Sequence, residues 1–332
     1  MTIINKKTAV KEIKPYENGK RPQTLLERVG ETHFRQRNTI ELHHAGAVFG
    51  RGRTLFHIEN ADWILDVLYS GLKWTRLYKR GLRNVLDIQV VENNFFVPGL
   101  PQEFAGFTIM QLSDLHIDIT PGLAEAIVDR LRLLEYDLCV VTGDYKWRTS
   151  GPINPALAEL QKIVPHLRHP AYAILGNHDF LEFVPPMEEM GLPFLLNETV
   201  TLERDGERIY LSGVDDPHFY ETDNLQKTGD VIPPKALSIL LAHSPEIYRQ
   251  AAAAGYDIVL SGHTHAGQIC LPGRIPLLNN ANCPREMVYG PWKFHKTQGY
   301  TSAGTGSSGV PVRFYCPPEI TLHRLFPVQE GL

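Results

Sequence analysis

An α/β fold built on parallel strands is the architecture this sequence predicts, on two observations. Short apolar runs at residues 107–112, 138–141, 171–175, 239–241 and 258–260 are rich in Ile, Leu and Val and bounded by glycine or polar residues, as strands buried on both faces are. Between the first three runs the apolar residues switch to helical spacing, as in Leu123, Ile127, Val128, Leu131 and Leu134, so the order is strand, helix, strand, helix, strand.

A polar cluster follows each run. Asp114 and His116 come after the first, Gly143-Asp144 after the second, and Gly176-Asn177-His178-Asp179 after the third. His243 follows the fourth, and Gly262-His263-Thr264-His265 the fifth. Open α/β sheets take their ligands beyond the carboxyl ends of the strands, so topology alone gathers these clusters in one crevice. Asp114 and His116 alternate with one residue between them and therefore point to one side; His263 and His265 repeat the arrangement with imidazoles. Asp144 follows a glycine that permits close backbone approach, and its two oxygens can bridge two cations. Taken singly, each residue reads as an ordinary turn or surface position. Taken in this order at successive strand ends, they predict a dinuclear metal site. The donors are oxygen and imidazole without thiolate, which suits Mn(II), Fe(II) or Zn(II), and the sequence does not choose among them.

The remainder of the chain sets bounds. Its 332 residues, 43% hydrophobic and 21% charged, suit a globular protein with one catalytic domain and an extension. A net charge of -4 offers no general attraction to nucleic acid, and no basic stripe crosses the catalytic segment. Cys139, Cys270, Cys283 and Cys316 form no Cys-x-x-Cys pair, which argues against a zinc knuckle or disulfide framework and for a reducing compartment. No apolar leader opens the chain and no run of about 18 apolar residues occurs, so a cytoplasmic location is expected. Oligomeric state is not readable.

Residues 1–100 read as an N-terminal extension. Its first 55 residues, His43-His44 included, are charged and weakly periodic, and little ordered structure is expected there. Residues 60–83 predict a helix with Trp63, Ile64, Val67, Leu68, Leu72 and Trp74 on one side and Lys73, Arg76, Lys79, Arg80 and Arg83 on the other. Such a basic amphipathic helix lies either peripherally on a membrane surface or against the catalytic domain. The joint is placed at Val97-Pro98-Gly99-Leu100-Pro101, and the catalytic domain at 104–326. Within that domain, 199–202 and 208–211 predict a hairpin around Asp205-Gly206. The long Pro-, Asn- and Gly-rich segment 268–298 is expected to cover the site. Closing strands are expected at 300–303, 312–316 and 320–325.

These residues carry a close resemblance to the calcineurin-like metallophosphoesterases over about 104–326. Leu241-Ala242-His243-Ser244-Pro245-Glu246, His263-Thr264-His265-Ala266-Gly267-Gln268 and the tail containing Pro311-Val312-Arg313-Phe314 and Pro318-Glu319-Ile320 resemble a bacterial branch that includes UDP-diacylglucosamine diphosphatases. The resemblance implies a four-layer α-β-β-α sandwich of two mixed sheets. It implies two divalent ions, the first held by Asp114, His116 and His265, the second by Asn177, His243 and His263, with Asp144 bridging. It implies a hydrolase in which the ions activate a bridging water for in-line attack on phosphorus. His178 is then placed to contact phosphate or protonate the leaving oxygen, with Asp179 orienting its ring. The sequence departs from the branch at Ala266, where glycine is frequent, and at Lys146-Trp147, where Lys146 is positioned to touch substrate.

Fold and metals do not select the substrate. A phosphodiester or diphosphate is expected, and the amphipathic helix makes a lipid-linked one attractive. The competing readings are a small-molecule or cyclic nucleotide phosphodiesterase, signalled by contacts from 268–298, and a metal-binding scaffold without turnover, which a lost ligand or a substituted His178 would favour.

Overall fold

The computed structural model describes residues 10–13, 24–44, 62–276 and 281–328. In chain order the strands are β1 (Lys11–Ile13), β2 (Gln89–Val97), β3 (Thr108–Leu112), β4 (Leu138–Val141), β5 (Ala171–Ala173), β6 (Glu198–Arg204), β7 (Glu207–Gly213), β8 (Ser238–Leu241), β9 (Ile258–Ser261), β10 (Cys270–Leu271), β11 (Ile275–Pro276), β12 (Gly290–Phe294), β13 (Thr297–Thr301) and β14 (Glu319–Pro327). One sheet runs β2-β14-β3-β4-β5 and the other β1-β6-β7-β8-β9-β13-β12, with β10 and β11 as a separate pair. β3, β4 and β5 are parallel neighbours, as are β7, β8, β9 and β13, while β6, β12 and β14 supply antiparallel pairings that make both sheets mixed.

Side-chain alternation along the strands builds the layers. Ile109, Leu138, Val140, Ile239, Leu241, Ile258 and Leu260 meet in the core between the sheets. Their neighbours Met110, Cys139 and Val141 face the other way, against Leu123, Ile127 and Leu131 of helix Leu123–Leu131 and Leu160 of helix Asn154–Ile163. Leu240 and Val259 pack outward against Tyr248 and Ala251 of helix Tyr248–Ala253. The result is the expected α-β-β-α sandwich. Double-sided burial explains why these runs are continuously apolar, each wholly buried Leu, Ile or Val contributing about 1.5–3 kcal/mol. The expected hairpin is present as β6 and β7, with Asp205 and Gly206 both at positive φ (51° and 89°), as the twist of a tight hairpin requires.

The extension differs from expectation. Residues 1–9, 14–23 and 45–61 lie outside the described residues, but Leu25–Val29 and Glu31–His44 are helices. The first starts on a capping box: Glu27 N donates to Thr24 Oγ1 (3.2 Å) and Thr24 N to Glu27 Oε2 (3.3 Å). The second shows no amphipathic pattern because its anchors are polar: His33 contacts Asp215 and Arg37 pairs with Asp215. The side chains of His43 and His44 lie outside the described residues.

The single helix expected over 60–83 is two, Asp62–Trp74 and Tyr78–Leu86. The chain turns at Arg76, whose φ is 60°, a conformation a helix interior does not accept. Helix Tyr78–Leu86 docks through Gly81, where a Cβ would come within 2.6 Å of Val312 Cβ. Arg313 N donates to Gly81 O (3.1 Å), and Asn84 Nδ2 to Arg313 O (2.7 Å). Helix Asp62–Trp74 instead leaves Val67, Leu68 and Trp74 exposed; the side chains of Trp63 and Ile64 lie outside the described residues. A boundary near residue 100 also divides a sheet, because β2 pairs with β14 along its whole length, Gln89 to Val97.

Two further expectations are corrected. Segment 268–298 is not a continuous cover: β10 and β11 pair, Arg285–Met287 is a helical turn, and β12 is the edge of the larger sheet. Residues 277–280 lie outside the described residues. No strand forms over 312–316, where Phe314 makes only an isolated bridge to Ile269, because Arg313 is drawn inward to the carbonyls of Ala303 and Gly306.

Candidate metal centre

Every residue named as a ligand from the sequence lies just past the carboxyl end of a parallel strand, Asp114 and His116 after β3, Asp144 after β4, Asn177 after β5, His243 after β8, His263 and His265 after β9. All are buried, and they converge in two groups. Asp114, His116 and His265 place ligand atoms within 4.8 Å of one another, as do Asp144, His243 and His263. Asp114, His116, Asp144, His263 and His265 have φ between 37° and 71°. Left-handed backbone is costly for residues with a Cβ and is tolerated where the surroundings over-determine it.

The polar atoms converge with acceptor facing acceptor, an arrangement suited to cations. His116 Nδ1 donates to Lys146 O (2.8 Å), so its Nε2 carries the lone pair, 3.1 Å from His265 Nε2. His265 Nε2 lies 3.5 Å from Asp114 Oδ1. In the second group His243 Nδ1 donates to Thr142 O (2.7 Å). Its Nε2 then faces Asn177 Oδ1 at 2.9 Å and Asp144 Oδ2 at 3.2 Å, both acceptors. Asn177 Oδ1 is equally 2.9 Å from His263 Nδ1. Asp144 Oδ2 is also 3.6 Å from His116 Nε2, which sets this one carboxylate between the two groups. Lone pairs in such an arrangement repel unless a cation sits among them. A donor set of oxygen and imidazole fits a divalent ion at each group.

Electrostatics follow the same layout. Burial lowers the His116 pKa to about 4 and holds His265 well below the imidazole range, so both rings are neutral ligands. Burial also opposes charge on His243, but Asp144 outweighs it and raises its pKa well above the ordinary value; a cation would take the place of that proton. Burial pushes the carboxyl of Asp144 up, yet His243 and His178 bring it well below the usual range. Burial raises Asp114 to about 6.

Beneath the ligands a polar layer fixes their aim. Ser113 Oγ donates to Asp114 Oδ2 (2.6 Å) and Thr142 Oγ1 to Ser113 Oγ (2.8 Å). Gly262 makes room: a Cβ there would stand 1.8 Å from Ser113 Oγ and 2.3 Å from Asp114 Oδ2. Gly262→Ala is therefore expected to displace Asp114, destabilising the fold by about 1–3 kcal/mol and lowering metal affinity about ten- to a hundredfold. Thermal unfolding and metal content by elemental analysis check this, and wild-type values for both would contradict it.

The structure revises two of the sequence expectations near the centre. His178 is close, its Nε2 3.9 Å from Asp144 Oδ2 and its ring edge-on to His116 at 5.0 Å. Asp179 does not orient that ring. Its carboxylate accepts the amides of Asp144 (2.7 Å), Tyr145 (2.8 Å) and Gly176 (2.8 Å), which ties two ligand loops together. The His178 ring is held by Trp147 O through Nδ1. Lys146 does not reach for substrate either; its Nζ donates to Ser150 O (2.8 Å) and Gly151 O (3.0 Å). Ala266 adopts φ 49°, ψ 28°, a conformation that accounts for glycine being frequent there.

Two residues near the centre carry no role in the sequence reading. His218 packs on His263 with its ring tilted by 45°, 4.1 Å between ring centroids, and contacts Glu246 Oε2 through Nδ1 (3.1 Å). Asp215-Asp216-Pro217-His218 directly follows β7, so the strand-end rule applied to that hairpin would have found it. Arg313, wholly buried, lies with Nη2 3.3 Å from His265 Nδ1; only the tertiary fold brings it there.

Comparison with known proteins agrees with this geometry. A model of the calcineurin-like phosphoesterases matches residues 107–267, the stretch that contains all of these ligands. The Bacillus subtilis metallophosphoesterase YkoQ is 30% identical over 263 residues, covering 75% of this chain and 94% of YkoQ. YkuE of the same organism is 30% identical over 253 residues, 72% of this chain and 85% of YkuE. The Danio rerio transmembrane protein with metallophosphoesterase domain is 31% identical over 255 residues, and this chain spans 56% of its length. Strand-end carboxylates, imidazoles and an amide converging in two groups, together with a relative 30% identical and matched over 94% of its length, place the chain in the calcineurin-like phosphoesterase family of metal-dependent hydrolases.

Proposed function

We propose that the protein hydrolyses phosphodiester or diphosphate bonds with two divalent ions, Mn, Fe or Zn. Asp114, His116 and His265 would hold one ion and Asn177, His243 and His263 the other, with Asp144 placed between the two groups. The observation that carries this reading is the meeting of lone pairs from both groups around Asp144 Oδ2. Divalent ions held there would supply Lewis acidity, activating water as the nucleophile and polarising the phosphoryl oxygens. The chain's own part is to aim the donors: Lys146 O and Thr142 O lock the tautomers of His116 and His243. His178, on the Asp144 side, contacts the phosphoryl group or delivers a proton to the departing oxygen.

The substrate reading favoured is a lipid-linked diphosphate, of the UDP-diacylglucosamine kind, taken from a membrane surface. No helix among the described residues is long and apolar enough to cross a membrane. Helix Asp62–Trp74 and its turn, however, expose Trp74 (87%), Val67 (66%) and Leu77 (42%), flanked by exposed Lys73, Arg76, Lys79, Arg80 and Arg83. Apolar side chains bordered by cations match an anionic bilayer surface. The same helix lines a cleft of roughly 330 Å³ through Asp66 and Tyr69, opposite Trp147 and Arg148, and Trp147 is the residue that holds His178.

A panel of UDP-linked lipid, cyclic nucleotide and phosphomonoester with added Mn(II) tests the reading. Preferred hydrolysis of the diphosphate supports it, preferred hydrolysis of the cyclic nucleotide replaces the lipid substrate, and turnover of none with Mn(II), Fe(II) or Zn(II) removes the hydrolase. For the surface, a Val67→Asp/Trp74→Asp variant is expected to bind anionic vesicles at least about a hundredfold more weakly, since each of the two apolar side chains contributes about 1.5–3 kcal/mol when buried. Its hydrolysis of a soluble aryl phosphodiester is expected to be unchanged. Equal co-sedimentation of variant and wild type would remove the membrane from the account.

A further inference from the structure

Helix Glu31–His44 lies outside the residues that the family model matches, yet it carries a wholly buried arginine, Arg37. A buried cation is costly unless it is fully paired, and this one is spent on the loops of the metal centre. Arg37 Nη2 donates to the carbonyl of Asp179 (2.7 Å), Nη1 lies 3.0 Å from Asp215 Oδ1, and Nε donates to Glu41 Oε1 (3.1 Å). The guanidinium carbon sits 3.2 Å over the Tyr220 ring. Burial opposes its charge, but Asp215, Tyr220 and Glu41 hold the pKa above the ordinary value. Glu41 Oε1 also accepts Leu181 N (3.0 Å), so the Arg37–Glu41 pair grips the chain on both sides of Phe180, just past His178.

Each contact leads on to the centre. Asp179, held at its carbonyl by Arg37, accepts with its carboxylate the amides of Asp144, Tyr145 and Gly176. Asp215, held by Arg37 and by His33 Nε2 (2.7 Å), begins the loop that carries His218 onto His263. One side chain from the extension therefore joins the loops of the spanning carboxylate and of Asn177 to the loop that packs on His263, a member of the same group.

We infer that Arg37 is a positioning residue for the metal pair, setting Asp144 and the turn at residues 176–178 through Asp179, and the backing of His263 through Asp215. This rests on the dinuclear reading above. Residues that orient ligands typically matter about ten- to a hundredfold in metal affinity or activity.

The test titrates full-length protein with Mn(II) alone, following affinity and the exchange-coupled paramagnetic resonance spectrum, with circular dichroism to confirm folding. Arg37→Met is expected to lose about ten- to a hundredfold in Mn(II) affinity and to weaken the coupled signal. Arg37→Lys keeps a charge for Asp215 but not the fork that reaches Asp179 O, and it carries the same expectation should Arg37→Met not fold. Arg28→Met is the control. Arg28 anchors the same extension through Glu188 (2.7 Å) and Glu198 (2.6 Å), and its loss is expected to leave affinity and spectrum unchanged. Wild-type affinity and spectrum in a folded Arg37→Lys variant, or an equal loss in Arg28→Met, overturns the inference. A wild-type protein that shows no coupled pair overturns the dinuclear proposal instead.

Discussion

Asp144→Asn is expected to reduce phosphodiester hydrolysis by about three orders of magnitude or more and to leave at most one ion per chain. The change is nearly isosteric, and the backbone of Asp144 keeps its bonds to Asp179 Oδ2 (2.7 Å) and from His116 N (3.0 Å), so the fold is expected to survive. What is lost is charge and an acceptor. Asp144 Oδ1 accepts His178 N (3.0 Å), which fixes the amide oxygen of an asparagine on that side. The new NH2 would then face the position where His243 Nε2 and His116 Nε2 now stand 3.2 and 3.6 Å from Oδ2. Two hydrogens would point where two cations are to be held. Elemental analysis beside turnover of an aryl phosphodiester reads both effects, and full activity with a full metal complement would end the dinuclear account.

His178→Ala is expected to do the reverse, keeping both ions and losing about a hundred- to ten-thousandfold in kcat. Its ring is no member of either ligand group, and its amide bond to Asp144 Oδ1 does not depend on the side chain. Leaving groups separate its two possible duties. If the ring protonates the departing oxygen, the loss shrinks for an activated aryl ester, which leaves without a proton. If it only contacts phosphate, aryl and alkyl esters suffer alike. Loss of metal together with turnover would assign His178 to the scaffold.

Much of this centre was legible before any coordinates. A strand buried on both faces must be continuously apolar, so the polar residue that ends it stands out, and parallel pairing sends every such end to one edge. Asp114, Asp144, Asn177, His243, His263 and His265 all stand out in that way as candidate ligands. The same rule, not extended to the hairpin strand β7, would have located His218. Helix Glu31–His44 was missed for a different reason. Its anchors Arg37 and His33 bind carbonyls and carboxylates from residues 179 and 215, and no local period records a polar partner so far along the chain. The roles of Asp179 and Lys146 were misassigned because adjacency in sequence says nothing about rotamer: both turn back onto backbone groups.

The sequence by itself determined the buried strands, their polar ends and the identity of the candidate donors, since burial periodicity and ligand chemistry are local properties. Only the tertiary structure decided how near Asp144 stands to each group, which carbonyls fix the imidazoles, and which distant cation holds the loops. These depend on angstrom-scale distances between segments far apart in the chain, which packing sets and composition does not.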